Sequence, residues 1–531
     1  MTSFAFADVW EAVAAVRGDA DALVQGERRV SWRQLDRRAD ALASAFLAAG
    51  VGHQDKVANY LYNGPEYLEA LFATVKAGLV PVNTNYRYGA DELTYLWDNA
   101  DAVAVVFDAS FTDLVDRVRG RVPGVRLWVR VGDAADCPAW AVDYESLATA
   151  TAEGPVAGPW GRSPDDLIFV YTGGTTGMPK GVMWRQGDLG RGQAARGGEA
   201  PATVADVAAG LPEEGPVMLA ASPLMHATAM FTAFGNLRQG GTVVTLRSRG
   251  LDPDELLDSV SDNKVTSLVI VGDVFARPIL ARLDEQPGRW DLSSLRVIIS
   301  SGVMWSEPIK QGLLRHKPSV ILFDTLGSSE APGLGQSVST GDGATTTASF
   351  QLGESTRVLT EDGRDVQPGS GEVGLLARTG SMPVGYYKDE AKTAATFRTI
   401  DGVRYVMPGD FATVEADGSV RLLGRGSQCI NTGGEKVFPE EVEEVLKEHP
   451  AVLDAAVVGV PDETWGEAVC ALVQLRPDEK AEDQELIDHV KDRLARYKAP
   501  KRVLLVDTVG RAPSGKLDYK TLRQQALELV S

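Results

Sequence analysis

The strongest chemical signal is the run Tyr171-Thr172-Gly173-Gly174-Thr175-Thr176-Gly177-Met178-Pro179-Lys180-Gly181. It follows a short apolar stretch, Leu167-Ile168-Phe169-Val170. Glycines let the backbone approach a ligand closely. Successive backbone N–H groups in such a loop form a concavity suited to an anion. The threonine hydroxyls and the Lys180 ammonium add donors and charge, so the loop is built for phosphate. It is not the kinase-type loop, which needs Gly-Lys-Ser/Thr and opens a helix. Here Pro179 precedes the lysine and removes a donor, and Gly181 follows it where that loop places a magnesium hydroxyl. Val182-Met183-Trp184 favours a strand, which predicts strand–loop–strand with no helix dipole behind the phosphate.

Further candidates recur down the chain. They are Pro223-Leu224-Met225-His226, Ser301-Gly302-Val303, Leu326-Gly327-Ser328-Ser329-Glu330, Pro408-Gly409-Asp410, Leu423-Gly424-Arg425, the stretch from Gly433-Gly434-Glu435-Lys436 to Glu441, and Arg511-Ala512-Pro513-Ser514-Gly515-Lys516. An aspartate such as Asp410 can accept both hydroxyls of a ribose. Alone, each piece is a turn, a packed histidine or a solvated lysine. In this order, over nearly the whole length, the set resembles the adenylate-forming superfamily of acyl-CoA synthetases, luciferases and peptide-synthetase adenylation domains.

That resemblance implies roles for particular residues. Thr172, Gly173, Gly174, Thr175, Thr176, Gly177 and Lys180 would cradle the β- and γ-phosphates of ATP, with Thr175 counted among the catalytic groups. Ser301, Gly302 and Val303 would pass backbone along the adenine and the acyl chain. Leu326 stands where relatives carry an adenine-stacking aromatic, with Gly327 and Ser328 beside it. Ser329 would touch the α-phosphate, and Glu330 would hold Mg2+. Asp410 and Arg425 would bind ribose. Ser427 occupies the hinge position, Gly434 and Lys436 the loop facing coenzyme A, and Lys516 the place of the catalytic lysine. Asn431 replaces a lysine of many relatives and receives no role. His226 would line the acyl pocket with Met225, Met230, Phe231, Phe275, Val303 and Leu334. Amino-acid-activating relatives carry an aspartate just after this histidine. The segment Ser222 to Gly241 holds no Asp or Glu, which argues against an amino-acid substrate. The strings around Tyr386 and Arg425 look most like actinobacterial synthetases for fatty acids and steroid side-chain acids.

The totals agree with such an enzyme. A chain of 531 residues needs at least two domains. Its net charge of −20 argues against non-specific nucleic-acid binding and leaves an anionic cofactor to local basic groups. The three cysteines, Cys137, Cys429 and Cys470, have no metal-site or disulfide spacing, which fits a reduced cytoplasm. The N-terminal stretch carries Asp8 and Glu11 and lacks a basic leader, unlike a signal peptide. No run of about 18 apolar residues exists to span a membrane. A homodimer stays open.

The elements that must position these residues alternate between helix and strand. Helical spacing covers Trp32 to Ala49 and Pro65 to Ala77. Strands are expected at Val57–Leu61, Ala102–Phe107, Val265–Val271 and Leu295–Ser300. Gly187 to Gly215, rich in Gly, Ala and Arg, reads as a surface excursion. Beyond Arg425 the pattern becomes a compact α+β unit: a strand at Ile430, a helix over Pro439–Glu448, strands over Val452–Val460 and Ala468–Leu475, a helix over Gln484–Arg496 and a strand at Val503–Val506. The fold class expected is α/β and α+β. A large N-terminal domain of stacked sheets with flanking helices (1–426) would hold ATP and the acyl pocket. A small mobile α+β lid (427–531) would carry Lys516.

The expected reaction joins a hydrophobic carboxylic acid to ATP as acyl-AMP and then to coenzyme A. Three alternatives share the motifs: transfer of the acyl group to a carrier protein, activation of aryl or short-chain acids, and luciferase-like oxidation. A silent homologue is disfavoured by the retained Lys180, Glu330 and Lys516.

Overall fold

The computed structural model describes residues 4–152, 154–174, 177–194, 201–303, 305–432, 435–462, 466–512 and 515–530. A 15-stranded sheet forms one layer of the large domain. Part of it is a parallel array in the spatial order Asp21–Gln25, Thr242–Thr245, Val217–Ala220, Ser267–Ile270, Val297–Ser301 and Ile321–Leu326. These strands read as near-continuous apolar runs because helices cover both faces. Leu219, Leu268, Val269, Ile270 and Leu322 are accordingly all but inaccessible. The sheet continues antiparallel through Gly335–Ser339 to the paired strands Asp410–Val414 and Val420–Arg425.

The second layer is an 8-stranded sheet built on Lys56–Tyr60, Val80–Asn83 and Ala102–Asp108. Its other end is the antiparallel hairpin Leu167–Gly174 and Gly177–Arg185, with Gly385–Tyr386 added at the edge. Helix Pro65–Lys76 lies in the apolar core shared with the first sheet, and every one of its residues except Glu66 is buried. Its Lys76 is tolerated there because Asp40, Asp36 and Glu11 lie 2.5, 2.7 and 3.0 Å from the ammonium. A buried charge needs such partners.

A third, 5-stranded sheet contains Ile430–Thr432, Glu435–Val437, Val452–Asp462, Gly466–Leu475 and Arg502–Leu505. Helices Pro439–Lys447, Asp483–Lys491 and Tyr519–Val530 pack on it over cores of their own, around Val457 and Leu472. The molecule is thus mixed α/β, with a large sheet domain and a smaller C-terminal unit. The expected surface excursion, Gly187 to Gly215, includes most of helix Gln186–Ala194 and all of helix Val204–Ala209, the second opened by a reciprocal Thr203–Asp206 cap, and from residue 201 on it is accessible apart from Val207. Its glycines and alanines conceal anchors such as Leu189 and Val207, both buried. One expectation is corrected. The helix expected over Gln484–Arg496 stops at Lys491. No described helix is long and apolar enough to cross a membrane.

Candidate functional site

Open parallel sheets present their ligand crevice at the carboxyl ends of the strands. Several candidate segments leave the first sheet there. Val217–Ala220 runs into Ser222-Pro223-Leu224-Met225-His226, Val297–Ser301 into Gly302 and Val303, and Ile321–Leu326 into Gly327-Ser328-Ser329-Glu330. Ser267–Ile270 delivers Val274 and Phe275 on the helix that follows it.

Hydrogen bonds lock these loops to the phosphate hairpin of the other sheet. Asn83 Nδ2 donates to the carbonyls of Tyr171 (2.9 Å) and Met225 (2.7 Å), while its Oδ1 accepts from Tyr171 N (2.6 Å). Trp184 Nε1 donates to Ser329 O at 2.9 Å, and its ring meets Phe231 edge-on. One asparagine and one tryptophan thereby set the hairpin against both the histidine loop and the glutamate loop. Asn63 similarly bridges Ala220 O, Ser222 O and Leu224 N.

The hairpin is as expected from its sequence: two antiparallel strands with Thr172 opposite Lys180. Tyr171 packs so tightly over Gly181 that a Cβ there would lie 2.7 Å from the ring. The backbones of Gly173, Gly174 and Gly177 belong to the strand ends, while Thr175 and Thr176 lie outside the described residues. Lys180 Nζ donates to Asp389 Oδ2 at 2.7 Å. Glu330, nearly inaccessible at 9%, accepts from Tyr386 Oη at 2.7 Å. Tyr386 and Asp389 belong to one segment that hydrogen-bonds along the hairpin strand (Val384 N to Met183 O, Tyr387 N to Gly181 O, both 2.8 Å).

Asp410 and Arg425 face each other across paired strands, and Arg425 Nε donates to Asp410 Oδ1 at 3.1 Å. The buried Asp410 Oδ2 has no hydrogen-bond partner among the described residues. The Asp410 carboxylate, together with Glu330, raises the pKa of Arg425. Ser301 Oγ is committed to Thr325 O at 2.8 Å. Gly302 has φ +90°, and a Cβ there would meet nothing within 4 Å, leaving backbone open to a flat ligand. Leu326 is buried beside Leu334 in the principal core.

The C-terminal unit closes the cleft. Gly515 has φ +77°, and a Cβ on it would lie 2.7 Å from Val303 and 3.0 Å from Val274. The loop is therefore seated against the large domain. Its Lys516 side chain stays exposed in the cleft, within electrostatic reach of Arg425, Glu330 and His226. Crowding by protein, then the Arg425 charge, pushes the Lys516 pKa down, and Glu330 opposes this. Ser427 and Lys436 are described only as backbone, in a short 3₁₀ turn and a strand. Gly433 and Gly434 lie outside the described residues.

His226 precedes helix Ala227–Arg238, and its buried Nε2 has no hydrogen-bond partner among the described residues. Burial, then the Lys516 and Arg87 charges, lower its pKa to about 3, so the ring is neutral at ordinary pH. Met225, Met230 and Leu334 are buried in the core, and Phe231 packs against it half-buried. Phe275, with Pro223, Val274, Tyr62 and Tyr86, lines a cavity of about 150 Å³ whose rim carries Arg87, Arg247 and Arg249.

No cluster of three metal-binding side chains exists among the described residues. That fits Mg2+ nonetheless, since this ion is commonly held by one or two carboxylates plus substrate phosphates. Tyr386 holds Glu330 Oε1, and Oε2 makes no hydrogen bond among the described residues. The convergence of Lys180, Glu330, Asp410, Arg425, His226 and Lys516 was readable from motif order. Asn83, Trp184, Tyr386 and Asp389 were missed, because nothing in their local spacing reveals a contact with a segment far along the chain.

Comparison with known proteins agrees with this geometry. A family model described as AMP-binding enzyme matches residues 10–387, and one described as AMP-binding enzyme C-terminal domain matches residues 441–516. A 3-oxocholest-4-en-26-oate–CoA ligase of Rhodococcus rhodochrous is 42% identical over 525 residues, covering 95% of this chain and 92% of the relative. The medium-chain acyl-CoA ligase Mig of Mycobacterium avium is 39% identical, with 99% of each chain covered. An anthranilate CoA ligase solved with anthranoyl-AMP superposes with a TM-score of 0.85 at 22% identity, covering 100% of this chain and 98% of that one.

Proposed function

Because the chain belongs to the AMP-binding enzymes, we propose that it is an ATP-dependent acyl-CoA synthetase. Its substrate would be a hydrophobic carboxylic acid, either a steroid side-chain acid or a medium- to long-chain fatty acid. The observation that carries the reading is the seating of the Gly515 turn against Val303 and Val274 of the large domain, which brings Lys516 within electrostatic reach of Arg425, Glu330 and His226. The names of the full-length relatives support the acid and the thiol.

A carboxylate is a poor acyl donor, since its oxygen leaves badly. Attack of that oxygen on the α-phosphorus of ATP gives acyl-AMP and pyrophosphate, and coenzyme A thiolate then displaces AMP. No protein nucleophile is required, so catalysis rests on positioning and on neutralising negative charge. Thr172, Thr175 and Lys180 would hold the β- and γ-phosphates. Asp410, through Oδ2, and Arg425 would hold the ribose, and the open backbone at Gly302 would run along adenine and acyl chain. Lys516, oriented by the seated Gly515 turn, would donate to the attacking carboxylate and the α-phosphate as charge builds. The neutral His226, whose Nε2 has no partner among the described residues, would accept or donate a single hydrogen bond beside the reacting carboxylate without adding charge. Glu330 Oε2 would hold Mg2+, which supplies charge neutralisation to the phosphate oxygens. Gly434 and Lys436 would face coenzyme A once the C-terminal unit swings about Ser427. The reading predicts a protein of the reduced cytoplasm, and a homodimer is compatible with it.

The test is a panel of steroid side-chain, fatty, aryl and short-chain acids, scored by AMP release with and without coenzyme A. Turnover confined to the first two classes and dependent on coenzyme A is expected. Exchange of pyrophosphate into ATP without an acyl-CoA product would instead point to a carrier-protein acceptor. No exchange with any acid would end the proposal.

A further inference from the structure

Lys180 is held by a carboxylate that cannot follow it. Asp389 Oδ2 accepts from Lys180 Nζ at 2.7 Å, and Asp389 Oδ1 accepts from Lys392 N at 2.9 Å as the cap of helix Glu390–Thr396. The Asp389 carbonyl accepts from Thr393 Oγ1 at 2.8 Å, and the same Oγ1 accepts from Tyr386 N at 2.9 Å. Tyr387 N and Val384 N are bonded to the hairpin strand that carries Lys180. Asp389 is thus fixed by its own helix and by the hairpin, whereas Lys180 sits on a flexible four-carbon stem with three donors. Both side chains are about one-third accessible, 37% for the lysine and 30% for the aspartate. The pair is therefore open to solvent rather than sealed in the core.

We propose that Asp389 is a fixed counter-ion that competes with the phosphate chain of ATP for Lys180 and thereby promotes the departure of pyrophosphate. The inference rests on the assignment of Lys180 to the β- and γ-phosphates. A lysine with no competing anion would bind pyrophosphate as firmly as it binds ATP, and release would slow. A carboxylate a hydrogen bond away offers the ammonium a second partner and repels the leaving polyanion. Once pyrophosphate moves off, Lys180 returns to Asp389. Two effects of opposite sign are built into this pair. Anchoring Lys180 saves it rotamer entropy and favours phosphate binding, while the negative charge disfavours it. Asp389→Asn keeps the helix cap through its single oxygen and turns an NH2 toward Lys180, so it removes the charge and the anchor together and reads their net effect.

Pyrophosphate and AMP are titrated calorimetrically into the full-length protein. For Asp389→Asn the expected result is pyrophosphate affinity raised about tenfold, AMP affinity unchanged, and steady-state turnover more sensitive to added pyrophosphate. In a Lys180→Met background the same substitution should raise pyrophosphate affinity less than about threefold, because coupling between contacting residues appears only when both are present. Unchanged or weaker pyrophosphate binding in Asp389→Asn would overturn the proposal, as would equal tightening with and without Lys180. Asp389→Ser, which also retains a capping oxygen, serves if the asparagine variant misfolds. Should Lys180→Met alone leave pyrophosphate and ATP affinity untouched, the phosphate assignment itself fails. A marked loss in Lys180→Met beside an inert Asp389→Asn removes only the competition.

Discussion

Two sets of groups around the cleft hold charge differently. On the large domain every proposed nucleotide-binding charge is tied to a neighbour: Lys180 to Asp389, Glu330 to Tyr386, and Asp410 to Arg425. By contrast, among the described residues the Lys516 side chain makes no hydrogen bond, and His226, also of the large domain, leaves its buried Nε2 without a partner. The tied groups form a preorganised frame whose dipoles need no rearrangement when phosphate arrives. The untied pair sits where the carboxylate would be activated, and each keeps its donor or acceptor for the substrate. The contrast separates groups that position from groups that act, and it can be broken in order of expected effect.

The largest effect belongs to Lys516. Loss of one charge-stabilising donor typically costs about 10²–10³ in rate. Lys516→Ala should therefore nearly abolish ATP–pyrophosphate exchange, yet keep most of the conversion of supplied acyl-AMP to acyl-CoA in a single turnover. Equal losses in both half-reactions would remove the division of labour between the two sets. Next comes the turn that delivers this lysine. Gly515→Ala places a methyl 2.7 Å from Val303 on a backbone of φ +77°. Strain of this kind is worth about 1–3 kcal/mol, so the closed arrangement should lose occupancy by roughly 5- to 150-fold. Adenylation should fall accordingly while thiolation of supplied acyl-AMP is spared. On the frame side, Tyr386→Phe deletes the donor that fixes Glu330 Oε1. A hydrogen bond to a charged group is worth about 1.5–3 kcal/mol. The expected result is a rise of about tenfold or more in the Mg2+ concentration needed for half-maximal exchange, with pantetheine-dependent thiolation little changed.

The frame and the acting groups also differed in how far the sequence disclosed them. Lys180, Glu330, Asp410, Arg425 and Lys516 sit in strings whose local composition is unusual, glycine beside charge, because backbone must come close to a ligand. Their convergence follows from the order of strands in the folded sheets, which the alternation of elements along the chain did not supply. Asn83 and Trp184 sit in strings with ordinary patterning, while the string of Tyr386 and Asp389 stood out as a resemblance without revealing what its side chains touch. Trp184 reads as one more apolar strand residue, and its bond to Ser329 O spans segments 145 positions apart. Such partners are set by the packing of one sheet on the other, which no local period encodes. The helices Gln186–Ala194 and Val204–Ala209 were hidden for a related reason. Glycine-rich segments lack a strong apolar stripe, and a few tertiary anchors decide their state.

The smallest effect is a pH dependence that sharpens the contrast. His226 has its pKa lowered from an ordinary 6.5 to about 3, first by burial and then by Lys516 and Arg87. Between these values the unfolded chain binds a proton at this ring that the folded chain does not. Stability must then rise with pH through that window, and it is lost as pH falls from about 6.5 toward 3. His226→Phe removes the titrating ring and leaves an aromatic in its place. The wild-type chain should lose more thermal stability than the variant between pH 6.5 and pH 5, measured as the shift in unfolding midpoint for each. At neutral pH the two should unfold at similar temperatures, because the ring is uncharged in both folded and unfolded chains. Parallel pH profiles would mean that the ring finds a partner for its proton, and the untied character of this pair would be lost.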